Sequence, residues 1–205
     1  MLHFPNLSDA LVAGGCIRPI TLAKGLKLGS LSSKRVPVAL LLTVSGLVVE
    51  PFAWLQSLWY GRRIPACACP DNPVVVIGHW RSGTTYLHQL LAADPGAATA
   101  RNHFTIAPQA ALVLKPLLKP LLQRLMTQHR PIDAVPWGAE DPQEDEVGLA
   151  RLTMDTNMAG IAFPQNYPRH FRRAVLNSST EFEQRLLRFT RLTWLYEGAG
   201  KTHLV

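Results

Sequence analysis

A run of four β-branched residues that ends at a glycine constrains the fold of this chain more than any other feature. Val74 to Ile77 carries no charge and is followed by Gly78, which is typical of a strand buried in a parallel sheet. Leucines then recur at helical spacing from Thr84 to Ala93, and Asp94-Pro95-Gly96 ends that helix. The sequence therefore predicts a strand, a glycine-rich loop and a helix in succession.

A loop of this kind favours anion binding, because the N–H groups and dipole of the following helix point at it. Gly78 and Gly83 have the spacing of the nucleotide-binding motif G-x-x-x-x-G-K-[ST], and Thr85 takes the Ser/Thr position that would hold magnesium. Thr84, however, stands where the motif has its lysine, which weakens the case for ATP or GTP hydrolysis. The fixed positive charge lies instead inside the loop, at Arg81. The pattern indicates a cation beside a transferred group, without an obvious metal site.

The loop Arg81-Ser82-Gly83-Thr84-Thr85 resembles the [KR]-x-G-T-T loop of sulfotransferases that use 3′-phosphoadenosine 5′-phosphosulfate. More narrowly, Pro73 to Pro95 is similar to the first motif of the bacterial-type sulfotransferase family nearly throughout, including His88. A second block, R-P-I-D-x-V-P from Arg130 and P-Q-E-D-E from Pro142, is similar as well. With the leader, the resemblance covers about residues 34 to 205.

The resemblance implies a P-loop-like α/β fold in which helices flank a parallel sheet. It also implies 3′-phosphoadenosine 5′-phosphosulfate as the sulfuryl donor, with no metal. Arg81 would be catalytic, stabilising the charge that builds on the bridging oxygen as the sulfuryl group leaves. The implied donor-binding residues are Gly78, Arg81, Ser82, Gly83, Thr84 and Thr85.

Transfer to an alcohol also needs a base for the hydroxyl proton. Glu144 is the first candidate and Glu146 the second, and His79 and His88 are weaker ones. A structural interpretation stays open, since acids in the first turn of a helix complement its dipole. His88 likewise suits a packing role on its helix.

A second strand is predicted at Thr202–Val205, where the sequence ends. Doubly wound sheets usually have about five strands. In the family this strand continues into a K-S-P-type segment, and an R-D-P stretch followed by a serine later grips the 3′-phosphate. We therefore expect a fold truncated after its second recognisable strand, the N-terminal portion of such an enzyme, with weak or no activity as an isolated chain.

Residues 1–70 form a basic, apolar leader, and residues 71–205 the sulfotransferase portion. The leader carries seven Lys/Arg and two acids, out of a net charge of +7 for the chain. Val36 to Val49 is apolar but shorter than the ~20 residues that cross a bilayer, and continuing to Trp59 reaches that length. Three interpretations stay open: a helix packed on the domain, an interfacial helix, and a true span. Peripheral membrane contact would run through residues 36–60.

Three more helical segments are predicted. Ala107 to Met126 is helix-prone but interrupted by Pro108, Pro116 and Pro120. Gln143 to Met158 is predicted to be a helix that opens with an acidic first turn. Thr180 to Glu197 is amphipathic, with an apolar stripe of Phe182, Leu186, Phe189 and Leu192.

The basic charge favours an anionic partner. We expect no nucleic-acid partner, because the sequence has no nucleic-acid motif and no basic-aromatic strip. The resemblance implies an acceptor hydroxyl on a small molecule, glycan or lipid, without indicating which, and we expect a cytoplasmic location with membrane association. Two alternatives remain: a P-loop kinase or NTPase, which magnesium-dependent ATP hydrolysis would reveal, and a noncatalytic membrane-associated remnant, which would bind no nucleotide.

Overall fold

The computed structural model describes residues 14–29, 31–79, 82–126, 137–158, 166–177 and 180–205. This part of the chain is rich in helix and contains a small parallel sheet, in keeping with the α/β fold that the resemblance implies. The helices are α1 (Pro19–Leu28), α2 (Val36–Tyr60), α3 (Arg63–Ala66), α4 (Thr84–Ala92), α5 (Asn102–Thr105), α6 (Ala111–Leu125), α7 (Asp145–Leu149), α8 (Tyr167–Phe171) and α9 (Thr180–Glu197). The strands are β1 (Ala97–Ala98) and β2 (His203–Leu204).

The sheet differs from the prediction at its first strand. β2 falls within the predicted Thr202–Val205 and pairs in parallel with β1, in the register Ala97 to His203 and Ala98 to Leu204. Val74–Ile77 is not a strand: the Val74 N–H donates to the Leu204 carbonyl (2.8 Å), but Ile77 is 90% exposed. The prediction of a buried strand there is wrong because, within the described residues, no layer covers the faces of this segment.

The core is aromatic and draws on the leader as well as on later helices. Phe104 of α5 packs against Phe189 and Tyr196 of α9, with ring centroids 5.2 and 5.0 Å apart. Val49 of α2 and Ile64 of α3 belong to the same buried cluster. The leader therefore contributes to the core of the domain instead of lying apart from it.

Helix α2 runs further than its apolar start predicted, through Pro51 to Tyr60. It is 25 residues long, and Pro51 is exposed, where water can satisfy the backbone carbonyl that the proline leaves unpaired. Gly46 lets α2 approach the backbone just before α1 closely, since a Cβ there would lie 2.2 Å from the carbonyl oxygen of Ile17. One face of α2 is thereby fixed against the protein.

Prolines also failed to break α6, contrary to the prediction. Pro116 and Pro120 lie within the one helix Ala111–Leu125. They are four residues apart and both exposed, so the carbonyls that they leave unpaired face water. Only Pro108 lies outside it.

The acidic segment forms less helix than predicted, and the last helix forms as predicted. Within Gln143–Met158, α7 covers only Asp145–Leu149 before turns follow. Helix α9 spans the predicted Thr180–Glu197, with Phe189 and Leu192 buried and Phe182 and Leu186 packed against the core.

Candidate active site

The loop before α4 closes as a tight turn. The backbone N–H and the hydroxyl of Ser82 both donate to the carbonyl of His79, at 3.3 and 2.5 Å. Trp80 and Arg81 lie outside the described residues, so the predicted catalytic arginine has no described geometry. The turn brings the chain directly from the Val74–Ile77 segment to the start of α4.

Two glycines give the loop its shape. Gly83 precedes α4 with a φ of +88°, a left-handed conformation that side chains with a Cβ adopt at a cost. Gly78 allows a close approach, because a Cβ there would lie 2.5 Å from Thr84 Cγ2. The conformation at Gly83 and the close contact at Gly78 explain why the G-x-x-x-x-G spacing has glycine at both positions.

The first turn of α4 carries hydroxyl groups and no acid. Thr84 and Thr85 are its first residues and are half-buried, and Ser82 is exposed just before them. The N–H groups of a helix's first turn lack partners within the helix and carry partial positive charge. Donors from backbone and side chains thus gather at one point.

Glu144 reaches this point from a distant part of the sequence. Its Oε1 accepts a hydrogen bond of 2.9 Å from Thr85 Oγ1, across 59 residues. Its neighbour Gln143 is buried and fixes the approach, since the Gln143 N–H donates to the carbonyl of Ala100 (2.8 Å) and its amide donates to Asn102 Oδ1 (2.7 Å). The structure therefore brings together Thr85 of the loop and the first candidate base.

Glu146, the second candidate, faces a different group. Its Oε1 accepts from the backbone N–H of Asn157 at 2.5 Å. Burial raises the pKa of its carboxyl, with a smaller contribution from the nearby charge of Glu144, and hydrogen bonds from backbone N–H groups oppose the shift. Together with exposed Asp145, it also occupies the first turn of α7, as the dipole interpretation expects.

His88 lies one turn beyond Thr85. Its Nε2 is 2.7 Å from Thr99 Oγ1, and burial lowers the pKa of the ring, while the negative charge of Glu144 acts in the opposite direction. Thr99 is fully buried just after β1 and was not predicted as part of the site, because a lone threonine after two alanines gives no signal. The other weak candidate, His79, is exposed in the loop.

The described residues contain no group of three or more His, Cys, Asp and Glu side chains that could hold a metal ion. Among the described residues, the groups that meet at the start of α4 include hydrogen-bond donors, the carboxylate of Glu144 and the imidazole of His88.

The site residues lie in a part of the chain that matches a known protein family. Residues 73–191, more than half of the chain, match the model described as "Sulfotransferase family". The chain belongs to the sulfotransferase family. The match includes the loop, α4 and the acidic block that carries Glu144, which are the parts that meet in the structure.

Two curated sulfotransferases are similar to this chain over 64% of its length. Each is named omega-hydroxy-beta-dihydromenaquinone-9 sulfotransferase Stf3, one from Mycobacterium bovis and the other from Mycobacterium tuberculosis. Each is 31% identical over 132 residues, which is 64% of this chain and 34% of the relative. The match thus spans about a third of the length of these sulfotransferases. No solved structure matches the chain.

Proposed function

We propose that this chain supplies the donor-binding part of a sulfotransferase that uses 3′-phosphoadenosine 5′-phosphosulfate and delivers the sulfuryl group to a lipid hydroxyl. The observation that carries the proposal is the hydrogen bond between Thr85 and Glu144, because it joins the anion loop to a carboxylate that can accept a proton. We further propose that residues 71–205 form the catalytic portion and that residues 1–70 are a leader directed at a membrane.

The described residues fit the donor. The start of α4 offers unpaired N–H groups, and Ser82, Thr84 and Thr85 add hydroxyl donors beside them. The Thr85 hydroxyl already donates a hydrogen bond to the carboxylate of Glu144, so this side chain can bind an anionic oxygen. Among the described residues, no atom outside its chain neighbours lies within 4 Å of the position that a Cβ on Gly83 would take, so the backbone is open there.

The donor, when bound, supplies the sulfuryl group, and the protein's residues manage charge and proton. Glu144 would take the hydroxyl proton of the acceptor as the acceptor oxygen forms its bond to sulfur. Arg81 would stabilise the electron pair that stays on the bridging phosphate oxygen when its bond to sulfur breaks. The backbone from Ser82 to Thr85 would hold the phosphate in place meanwhile. Glu144 is the more suitable base because its carboxylate contacts Thr85 of the loop, whereas that of Glu146 accepts from the backbone N–H of Asn157.

A lipid acceptor is proposed for two reasons. The related sulfotransferases are named for an ω-hydroxy menaquinone, which is a lipid with a hydroxyl group. The leader of this chain, in addition, contains a helix, Ser33–Tyr60, that is long and apolar enough to cross a membrane by length and composition. We therefore propose a cytoplasmic protein that works at the membrane surface.

Calorimetric titration of the chain with 3′-phosphoadenosine 5′-phosphate tests the donor site. We expect saturable binding that weakens by roughly tenfold or more in Arg81→Ala, because a charge-assisted hydrogen bond is lost. Arg124→Ala is the matched control, since Arg124 is an exposed arginine near the end of α6 and its loss changes the net charge equally. Equal loss in both variants, or no binding by a chain that unfolds cooperatively, would contradict the proposal. Magnesium-dependent ATP hydrolysis would instead support a P-loop kinase or NTPase.

A further inference from the structure

Helix α2 presents an apolar stripe to solvent along almost its whole length. Its members recur at intervals of three and four residues and are exposed: Leu40, Val44, Leu47, Pro51, Trp54 and Leu58. Trp54 is 71% exposed and Leu58 is 78% exposed. A row of exposed apolar side chains along one helix face is typical of a surface that contacts a protein partner or a membrane. We call these six residues the outer stripe.

The opposite side of α2 is fixed to the protein. Gly46, Val49, Ala53 and Gln56 are its buried residues, and at 3.6 residues per turn they lie across the helix from the outer stripe. Gln56 is held by two polar contacts: its amide donates to the carbonyl of Pro108 (3.1 Å), and its oxygen accepts from the N–H of Leu112 (2.8 Å). The outer stripe is therefore displayed by a rigidly seated helix.

These contacts also determine how α2 can meet a bilayer. Glu50, in the middle of the helix, forms an ion pair with Arg18, which precedes α1. Further along, Gln56 binds α6 and the segment before it. A helix that crossed the hydrocarbon core would have to break these contacts and bury the freed polar groups in lipid. The geometry favours a helix that lies along the membrane surface with its outer stripe facing the lipid.

The charged residues around α2 indicate which kind of membrane surface it would contact. Glu50 is the single acid in residues 14–70, and Arg18 neutralises it. Basic residues are present at both ends of α2, with Lys34 and Arg35 just before it and Arg62 and Arg63 just after it. Lys34, Arg62 and Arg63 are exposed. Basic groups that bracket an apolar stripe match the negative headgroups of an anionic leaflet.

Two tryptophans support the same orientation. Trp54 lies in the outer stripe, and Trp59, which is also exposed, lies at the end of the helix. Tryptophan favours the boundary between headgroups and acyl chains, where the ring is apolar and its N–H stays wet. From the stripe, the bracketing charges and these side chains, we propose that α2 docks the protein onto the surface of an anionic lipid bilayer. This docking rests on the membrane location proposed above and adds the helix face and the lipid charge, and it does not require sulfuryl transfer.

Flotation of the chain with phospholipid vesicles tests the docking. The probes are vesicles of phosphatidylcholine alone and vesicles that also contain phosphatidylglycerol. We expect the chain to float with the anionic vesicles, less well as the salt concentration rises from about 0.1 to about 0.5 M, because the basic residues are then screened. Binding to neither kind of vesicle would overturn the proposal.

A pair of exposed residues one turn apart provides the decisive variant. Trp54→Ser/Leu58→Ser is expected to lower the bound fraction by roughly tenfold or more, since two large apolar side chains no longer enter the lipid. Leu117→Ser/Leu121→Ser is the matched control: these leucines of α6 are also four residues apart and are 60% and 53% exposed. The control should bind as the unchanged chain does. Circular dichroism verifies that all variants fold, and equal loss in both variants overturns the proposal.

Two measurements separate the remaining occupants of the stripe. Resistance of the bound chain to alkaline carbonate extraction would mean that α2 spans the bilayer and would overturn surface docking. Sedimentation as a dimer that Trp54→Ser/Leu58→Ser converts to a monomer, without vesicle binding, would mean that a second copy covers the stripe. Titration of the same variants with 3′-phosphoadenosine 5′-phosphate should be unaffected, so donor binding and membrane docking fail independently.

Discussion

Two carboxylates of one short block have different partners. Glu144 binds a hydroxyl at the start of α4, whereas Glu146 binds a backbone N–H of buried Asn157. A buried N–H that loses its acceptor is costly, while a half-exposed threonine hydroxyl can turn to water. The two residues should therefore differ in what they contribute to stability, although both are glutamates of the same short block.

Alanine substitution at each position tests this difference. We expect Glu146→Ala to lower the free energy of unfolding by about 1 to 3 kcal/mol, and Glu144→Ala to lower it by less than about 1 kcal/mol. Urea unfolding at neutral pH measures both values. If Glu144→Ala proved the more destabilising variant, Glu144 would be a structural residue and the assignment of the base would fail.

His103 is the buried centre of a charged cluster. Its Nδ1 lies 3.1 Å from the Tyr196 hydroxyl, and its Nε2 lies 3.8 Å from Glu140 and 3.9 Å from Glu197. Burial lowers the pKa of the ring to about 4, since this effect and the neighbouring cations outweigh the attraction of Glu140. The cations concerned are Arg101, Lys115 and Lys119. A neutral ring can accept from Tyr196 and direct its own N–H towards the carboxylates.

This pKa predicts loss of stability on mild acidification. The folded-state pKa is below the usual 6.5, so the unfolded chain binds the proton more readily and stability falls as the pH drops from about 6.5 towards 4. Between pH 7 and pH 5 we expect the contribution of His103 to fall by about 2 kcal/mol. Urea unfolding of the unchanged chain and of His103→Gln at both pH values measures it. Identical pH dependence in the two proteins would disprove this account.

At the scale of elements, the segment Val74–Ile77 and strand β2 behave differently although both were predicted as strands. Val75 is 70% exposed and Ile77 is 90% exposed, whereas Leu204 is buried. We expect Val75→Ser and Ile77→Ser each to change the free energy of unfolding by less than about 0.5 kcal/mol. Leu204→Ala should cost about 2 to 5 kcal/mol, because it leaves a cavity. Chemical denaturation measures the three variants, and a large loss at Ile77 would show that the segment is covered after all.

The sequence predicted a helix or strand correctly where one local pattern was enough to determine it. Helix α9 was predicted over its full length, because its apolar stripe repeats at helical spacing and Gly198 follows it. Local patterns failed where the environment decides: prolines are tolerated in α6 because they face water, and Val74–Ile77 lacks covering layers among the described residues. Burial is a property of the neighbours, which the segment's own residues do not specify.

The candidate site was predictable in part for the same reason. The loop residues Gly78 and Ser82 to Thr85 follow one another, so their spacing reveals them directly. The contact between Thr85 and Glu144 joins residues 59 positions apart. The resemblance to a family implied a role for each residue but not their contact. Thr99 was missed because its place beside His88 depends on β1, which the sequence did not predict.

At the scale of the molecule, leader and domain share one core. Ile64 of α3 is fully buried in the cluster that contains Phe104 and Phe189. We expect Ile64→Ala to lower the free energy of unfolding by about 2 to 5 kcal/mol. The unfolding transition followed by tryptophan fluorescence and the one followed by far-ultraviolet circular dichroism should shift by the same amount. Leu58→Ala, at an exposed position of α2, should leave both transitions in place. Two separate transitions would indicate that the leader folds alone.

The parallel pair β1–β2 has a consequence for how the protein is made. Ala97 pairs with His203, so 106 residues must be added by the ribosome after β1 before its partner exists. At about 5 to 20 residues per second, this takes roughly 5 to 20 s. Throughout that interval the β-branched run at Val74 lacks the Leu204 carbonyl that it binds in the folded chain. A chaperone that binds short apolar segments would find a target here in the nascent chain.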